Sequence, residues 1–388
     1  MLLKKIKAGI IGLGFISAYH IDALRRIGLA DLEAITDMNY EMARTKAEHY
    51  GVSKCYREID ELIEDPEIQV VHNCTPNHMH LSINEKIIKA GKHLFSEKPL
   101  AKSAAETAQI LELLKHYPDT VAGVNFNYRM NPLVQDLKHK IAAGDLGKIH
   151  LVHGSYLQDW LLFDTDYNWR LEPEFAGASR AVADIGSHWL DTAQTVMGSR
   201  IVEVCADTAT ALPVRKKPVK ELETFAVSKD VEYEEKAINT EDYAGVLVKF
   251  ENGTPGVFYC SQVSAGRKCY LNIEVDGAKT SYYWNQETPD AMWKGNRDTN
   301  NEQVMRNPNL VAPDVKKYTS LPAGHPEGWN DGLRNNIFAF YSFIADGKKP
   351  GKDACDFATC EDGHYIMRLT EAIIKSGKER RWVRVEEI

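Results

Sequence analysis

The chain has no CxxC pair, no apolar run long enough to cross a bilayer and no surplus of positive charge. Its seven cysteines stand apart at positions 55, 74, 205, 260, 269, 355 and 360. That odd, scattered set excludes a disulfide frame and a zinc knuckle, and fits reduced thiols in a cytoplasm. Without a run of about twenty apolar residues there is no membrane-spanning helix to expect. A net charge of −8 and a pI near 5.9 argue against nucleic acid or an anionic membrane as the main partner. Repeats and low-complexity tracts are missing too. What remains is an ordinary globular composition, 44% hydrophobic and 26% charged, on 388 residues with room for two domains.

The amino terminus, MLLKKIKAGIIGLG, puts two lysines before an apolar run, as a secretion signal does, but glycines break the run. Residues 6–11 read as a strand entering Gly12-Leu13-Gly14-Phe15-Ile16-Ser17, and a helical pattern follows with Ile16, Tyr19, Ala23 and Ile27 as its expected buried side. A dinucleotide fingerprint has this form: one glycine for the turn, one where backbone meets pyrophosphate, and a small residue, here Ser17, where helix meets strand. The phosphate would rest on the helix amino terminus. A second strand, 32–37, ends in Asp37. An acid there can bond the ribose hydroxyls of NAD, cap the helix expected over 40–50, or do both. Its charge repels the 2′-phosphate of NADP, and the neutral Met38 and Asn39 offer that phosphate nothing. NAD is therefore expected in preference to NADP.

The alternation continues with a helix near 57–64 and a strand over 69–74 that ends in Thr75-Pro76-Asn77-His78-Met79-His80. A third strand end on the same crevice is expected to help form the adenosine and diphosphate surface. After a helix over 79–90 comes His93–Leu100, HLFSEKPL, read as a short buried strand. Lys98 just past a strand's carboxyl end, between Glu97 and Pro99, sits where open parallel sheets bind ligands. Pro99 keeps Lys98 out of the helical region. A helix over 103–116 and a strand over 120–125, reaching Asn125, complete a doubly wound parallel sheet. The expected fold is α/β, with residues 1–129 as a Rossmann domain.

From residue 130 the pattern changes. A helix over 131–143 and a strand over 147–157 precede two hairpins, 243–250 with 255–263 about Asn252-Gly253, and 269–275 with 279–284 about Asp276-Gly277. These point to an α+β domain over 130–388 with a largely antiparallel open sheet. Residues 286–330 read as a long loop, either functional or disordered, carrying the distinctive Gly324-His325-Pro326-Glu327-Gly328-Trp329, before helices over 331–345 and 357–375. If 184–197 is helical, Asp184, His188 and Asp191 share one face. An acid, an imidazole and an acid in line can tune a histidine for proton transfer. They could equally be a capped helix with a satisfied histidine. A metal reading lacks a further strong ligand at fixed spacing, so none is expected.

Gly12-x-Gly14 with His20 behind it, Asp37, Thr75-Pro76-Asn77, Glu97-Lys98-Pro99 and Gly177…Asp184-x-Gly186-x-His188-x-x-Asp191 together resemble the glucose–fructose oxidoreductase/inositol dehydrogenase family, Gfo/Idh/MocA, over essentially the whole chain. Ser17 and Ala178-Ser179 depart from its usual glycines. The resemblance implies a nicotinamide cofactor held by Gly12, Gly14, Phe15, Ile16, Asp37, Thr75, Pro76, Asn77, His80, Glu97, Lys98, Asn125, Trp169 and Arg170. It implies Lys98, Asp184 and His188 around the reacting carbon. It also implies an open sheet that serves oligomer contacts, in a dimer or tetramer. Tyr156-Leu157-Gln158-Asp159-Trp160, Asn168-Trp169-Arg170 and the 324–329 loop are similar to members acting on pyranosides, including levoglucosan-type and glucoside 3-dehydrogenases. A sugar or cyclitol such as inositol would then meet Lys98, Tyr128, Arg129, Tyr156, Gln158, Trp160, Asp184, His188 and His325, aromatic faces for C–H edges and polar groups for hydroxyls. The expected activity is reversible oxidation of a secondary ring hydroxyl, with Lys98 or His188 taking the proton. Two alternatives have precedent in the fold: a glycosidase that recycles a bound NAD, and a sensing protein, which is expected to lack the lysine and histidine present here.

Overall fold

The computed structural model describes residues 5–219 and 232–388. The chain forms two compact units, Met1–Met130 with Asn330–Tyr365, and Asn131–Trp329 with Ile366–Ile388. The first unit alternates β1 (Ile6–Ile11), α1 (Ser17–Arg26), β2 (Ala30–Thr36), α2 (Tyr40–Tyr50), β3 (Lys54–Tyr56), α3 (Ile59–Glu64), β4 (Val70–Asn73), α4 (Asn77–Lys89), β5 (His93–Ser96), α5 (Ala104–Lys115) and β6 (Ala122–Val124). The strands pair in parallel in the order β3-β2-β1-β4-β5-β6. This is the Rossmann sheet expected from the alternation. Its order reverses between β1 and β4, and the strand ends there open the crevice in which such sheets bind ligands. Strands buried on both sides are almost wholly apolar, as Ala8, Ile10 and Ile11 of β1 illustrate.

Two local expectations change here. The buried side of α1 is Ser17, His20, Ile21, Ala23 and Leu24; Ala23 and, just past the helix, Ile27 are buried as expected, while Ile16 and Tyr19 are only half-buried. The face is rotated because His20, a polar residue, is drawn inward by hydrogen bonds. The strand read through Leu100 stops at Ser96, and the Lys98–Pro99 peptide bond is cis.

The second unit holds α6 (Pro132–Ala142), β7 (Ile149–Leu157), α7 (Pro173–Ala176), a π turn (Val182–Gly186) that runs into α8 (Ser187–Met197), β8 (Ile201–Ala209), β9 (Val214–Pro218), β10 (Tyr233–Ala237), β11 (Tyr243–Phe250), β12 (Pro255–Ser261), β13 (Tyr270–Gly277), β14 (Ser281–Asn285), β15 (Ala291–Gly295) and β16 (Glu302–Met305). The chain then forms α9 (Trp329–Ala345), α10 (Cys360–Glu379) and β17 (Val383–Arg384). The main sheet runs β16-β15-β14-β13-β7-β12-β11-β8-β17. Only β7 and β12 pair in parallel among its described strands, so it is mostly antiparallel as expected. Helix α8 packs on one face through Trp189, whose ring stacks on Phe258 at 4.4 Å between centroids. Gly154 makes that contact possible: a Cβ there would lie 2.2 Å from the Asn272 carbonyl oxygen and 2.5 Å from the Trp189 ring nitrogen.

Residues 286–330 are not a structureless loop, since they contain β15, β16 and a 3-10 turn over Pro313–Tyr318. The second hairpin turns later than Asp276-Gly277, because Asp276 already pairs with Ser281. Gly277 is there for close approach: a Cβ would meet the Leu146 carbonyl oxygen at 2.2 Å. The expected second domain, 130–388, gives residues 330–365 to the first unit. Phe340 and Phe357 of that segment pack at 5.2 Å between centroids, and Phe340 meets Phe95 of β5 at 5.1 Å. All seven cysteines are free thiols. Among the described residues no helix is long and apolar enough to cross a membrane.

Candidate functional site

In the first unit the glycine loop leaves β1 with Gly12 at φ +87°. A Cβ at Gly12 would stand 2.8 Å from the Cys74 carbonyl carbon and the Thr75 nitrogen, so only glycine fits. At Gly14 a Cβ would meet nothing within 4 Å. The protein's own packing does not require that glycine, whereas a pyrophosphate brought against the backbone would. Ser17 closes the loop, its hydroxyl donating to the Gly14 carbonyl at 2.7 Å. Asp37 is not the cap of α2; Asn39 is, accepting from the Met42 N–H at 3.1 Å. Instead Asp37 accepts from the Leu13 N–H at 2.7 Å and the Asn39 N–H at 2.8 Å, fixing the glycine loop to the end of β2. Phe15 is exposed and Ile16 half-buried beside it.

The end of β4 is held in the same manner. The Thr75 hydroxyl donates to Asn73 Oδ1 at 2.6 Å, Pro76 is exposed, and Asn77 opens α4 two residues earlier than expected. His80 is buried between the Thr75 and Pro99 carbonyl oxygens, at 2.8 and 2.6 Å, and so joins this turn to the Glu97-Lys98-Pro99 turn. Burial pushes the His80 pKa down, against those two carbonyls, which favour the charged ring. Glu97 is buried, facing His20 Nε2 at 2.9 Å, the Asn125 amide at 2.6 Å and the Lys98 N–H at 3.2 Å. Burial works to raise its pKa, but the His20 and Asn125 hydrogen bonds and the Lys98 charge bring it below the usual glutamate range. Tyr128 and Arg129 are buried in a 3-10 turn, and Arg129 pairs with Asp362 at 3.1 Å, which accounts for its charge inside this unit. Glycines where a pyrophosphate needs them, a helix start without a side-chain cap and an acid after β2 all fit a bound NAD.

The second unit gathers a different set. Asp184 lies in the π turn rather than in a regular helix, so the expected even spacing to His188 is altered. The segment is capped from far along the chain: Glu241 Oε1 accepts from the Ser179 hydroxyl at 2.7 Å, the Arg180 N–H at 2.9 Å and the Val182 N–H at 3.0 Å. Asp184 accepts from the Gln262 amide at 2.8 Å and lies 3.5 Å from Arg170 Nε. Gln262 can face only this way, because its other atom, Oε1, accepts from Arg180 at 3.3 Å. Arg180 is itself locked to Asp242 at 2.5 Å, and Asp242 also pairs with Arg215 at 2.8 Å, all three fully buried. Such a chain orients Asp184 as a fixed acceptor.

Around it, Arg170 lies over the Trp169 ring at 4.4 Å and the Trp160 ring at 6.0 Å. The Trp160 N–H donates to Gln158 at 3.0 Å, and Gln158 reaches the Tyr156 hydroxyl at 3.4 Å. The Tyr156 and His188 rings are 6.1 Å apart. His188 and Asp191 are buried on α8. His325 is not part of this group: its ring is exposed, and its backbone oxygen accepts from Arg306. The 324–329 motif has a structural explanation in Glu327, buried against Arg306 at 2.8 Å. Gln262 and Glu241 were missed from sequence; for Gln262 the one available signal was an amide just past a strand end.

Family models match both parts of the chain, "Oxidoreductase family, NAD-binding Rossmann fold" over residues 6–126 and "GFO/IDH/MocA C-terminal domain" over 134–283. Levoglucosan dehydrogenase of Pseudarthrobacter phenanthrenivorans is 28% identical over 406 residues, covering 100% of both chains. Myo-inositol 2-dehydrogenase of Thermotoga maritima is 27% identical, covering 99% of each. A solved levoglucosan dehydrogenase in complex with NADH and L-sorbose superimposes with a TM-score of 0.87 at 27% identity, covering 98% of this chain and 99% of that one. With these matches to both halves of the sequence, the chain belongs to the GFO/IDH/MocA family of NAD-binding oxidoreductases.

Proposed function

We propose that the protein catalyses the reversible, NAD-dependent oxidation of a secondary ring hydroxyl in a sugar, sugar derivative or cyclitol. The observation that carries this reading is the Glu97-Lys98-Pro99 turn. A buried acid holds it at the carboxyl end of β5, in the same unit as a glycine loop tied down by Asp37. When bound, the nicotinamide accepts the hydride from the substrate carbon. Gly12, Gly14, Asp37, Thr75 and Asn77 bind and orient the dinucleotide. The hydroxyl proton goes to Lys98 or His188. Asp184, held by Gln262 and Arg170, orients a substrate hydroxyl. Trp160, Trp169 and Tyr156 offer ring faces to the C–H edges of a pyranose. Similarity to a levoglucosan dehydrogenase and an inositol dehydrogenase supports this substrate class.

NADH formation should be followed at the nicotinamide absorbance band with NAD or NADP and a panel of myo- and scyllo-inositol, glucose, glucosides and levoglucosan. Turnover with one of these, NAD preferred, is the expected result. Lys98→Ala should abolish turnover while NAD still binds. Loss of NAD binding in that variant would reassign the lysine to cofactor docking. Silence across the panel with NAD bound would favour hydrolysis with a recycled cofactor.

A further inference from the structure

We propose that Tyr341, His72 and His20 form a one-directional hydrogen-bond chain ending on the Glu97 carboxylate, which makes them positioning residues for Lys98. The three contacts are each 2.9 Å: Tyr341 Oη with His72 Nε2, His72 Nδ1 with His20 Nδ1, and His20 Nε2 with Glu97. Tyr341, His72 and His20 are completely buried. Buried polar hydrogens need acceptors, and this requirement fixes the direction. Among the described residues Tyr341 Oη has no hydrogen-bond partner except His72. If His72 donated to it, the phenol hydrogen would be stranded in an apolar interior. Tyr341 must therefore donate, His72 Nε2 must accept, and the His72 proton sits on Nδ1. His20 Nδ1 then accepts, so its proton sits on Nε2 and points at Glu97. Every hydrogen finds an acceptor with both imidazoles neutral and Glu97 ionised.

The opposite direction would orphan the phenol and would also need either a buried imidazolium at His20 or a proton on Glu97 Oε1, which already accepts from the Asn125 amide. The environment of His72 agrees with the first choice, because burial holds its pKa well below the histidine range. The other groups facing Glu97 are Asn125, Lys98, His80 and Cys74. Asn125 is turned the right way by Asn336, whose amide donates to Asn125 Oδ1 at 3.2 Å. Asn336 and Tyr341 both belong to α9, so this late segment sets the state of an acid more than two hundred residues earlier in the chain. Glu97 Oε2, kept ionised, accepts the Lys98 N–H and fixes where the lysine leaves the backbone.

The first measurement needs no substrate. In protein carrying nitrogen-15 only in histidine, His72 should be protonated on Nδ1 and His20 on Nε2 near neutral pH, with signals assigned from His72→Gln and His20→Gln. A His72 proton on Nε2, or a charged His20, overturns the chain whatever the activity. The positioning role rests on the proposed dehydrogenase reading and is tested separately. His20→Gln still offers Glu97 an amide donor, and His20→Leu does not. In variants shown folded by their melting, Leu should cost kcat on the order of tenfold while the KM for NAD stays within about threefold, and Gln should recover most of it. Equal losses from both would leave His20 merely structural. If no substrate turns over but the tautomers are as stated, the chain stands and the dehydrogenase reading falls.

Discussion

Burial of His72 is one source of acid sensitivity in the first unit, beside the buried His80 and His93. The folded His72 pKa lies well below the ordinary value of 6.5, chiefly through desolvation. Between those two values the unfolded chain binds a proton here that the folded chain refuses, so stability falls as pH falls. The slope from this one group is about 1.4 kcal/mol per pH unit below about pH 6.5, and nothing above it. Thermal melting at a series of pH values should show this loss, and His72→Gln, which cannot titrate, should make the slope shallower by about this amount. An unchanged slope in the variant would mean the acid sensitivity lies elsewhere. The same residue shows how legible single positions are. The sequence marks Asp37 by its place after a strand, yet leaves open whether it caps a helix. Three-dimensional contact answers that question, because its acceptor goes to Leu13 in a different loop. His20 reads as part of a helix pattern, and only its partners at positions 72 and 97 explain why a polar residue is turned inward.

Elements built from local periodicity were legible: the alternating strands and helices of the first unit and the hairpin about Asn252-Gly253 match the sequence reading closely. Elements that depend on distant residues were not. The π turn before α8 is capped by Glu241, which has no local signal near Asp184. Strands β15 and β16 are short, and they lie in polar sequence toward the sheet's end, where burial does not enforce alternation. Gly277 resembled a turn glycine but serves a close packing contact. Gly154 has the same kind of role for α8, the helix that carries His188. Gly154→Ala would drive a methyl group into the Asn272 carbonyl and the Trp189 indole, neither of which can move without disturbing the sheet or the helix. The expected cost is about 1–3 kcal/mol, read as a lower melting temperature, with substrate turnover falling more than NAD affinity. Equal stability to the parent would mean that α8 does not need this contact.

At the scale of the whole molecule, a second copy is expected to pack on the face of the second unit's sheet that α8 leaves uncovered. One face is covered by α8, but the other shows Leu247, Val257, Tyr259 and Trp293, between 37% and 48% exposed. Leu247, Val257, His153, Glu274, Tyr283 and Trp293 follow one another in register across six adjacent strands, with apolar groups at both ends of the rung and the His153–Glu274 pair between them. A monomer rarely leaves such a face to water. A second copy is the occupant that needs no other component, since a two-fold axis through the rung sets the same residues against themselves. Replacing Leu247 and Tyr259 together by Asp places negative charges on both sides of that contact, in a chain whose net charge is already −8. Light scattering should give the parent a mass at least twice 43.7 kDa and the double variant that single-chain mass. NAD binding should be equal in the two, because neither substitution lies in the unit that carries the glycine loop. A parent that is monomeric at micromolar concentration would remove the interface, and the exposed rung would then need a different explanation.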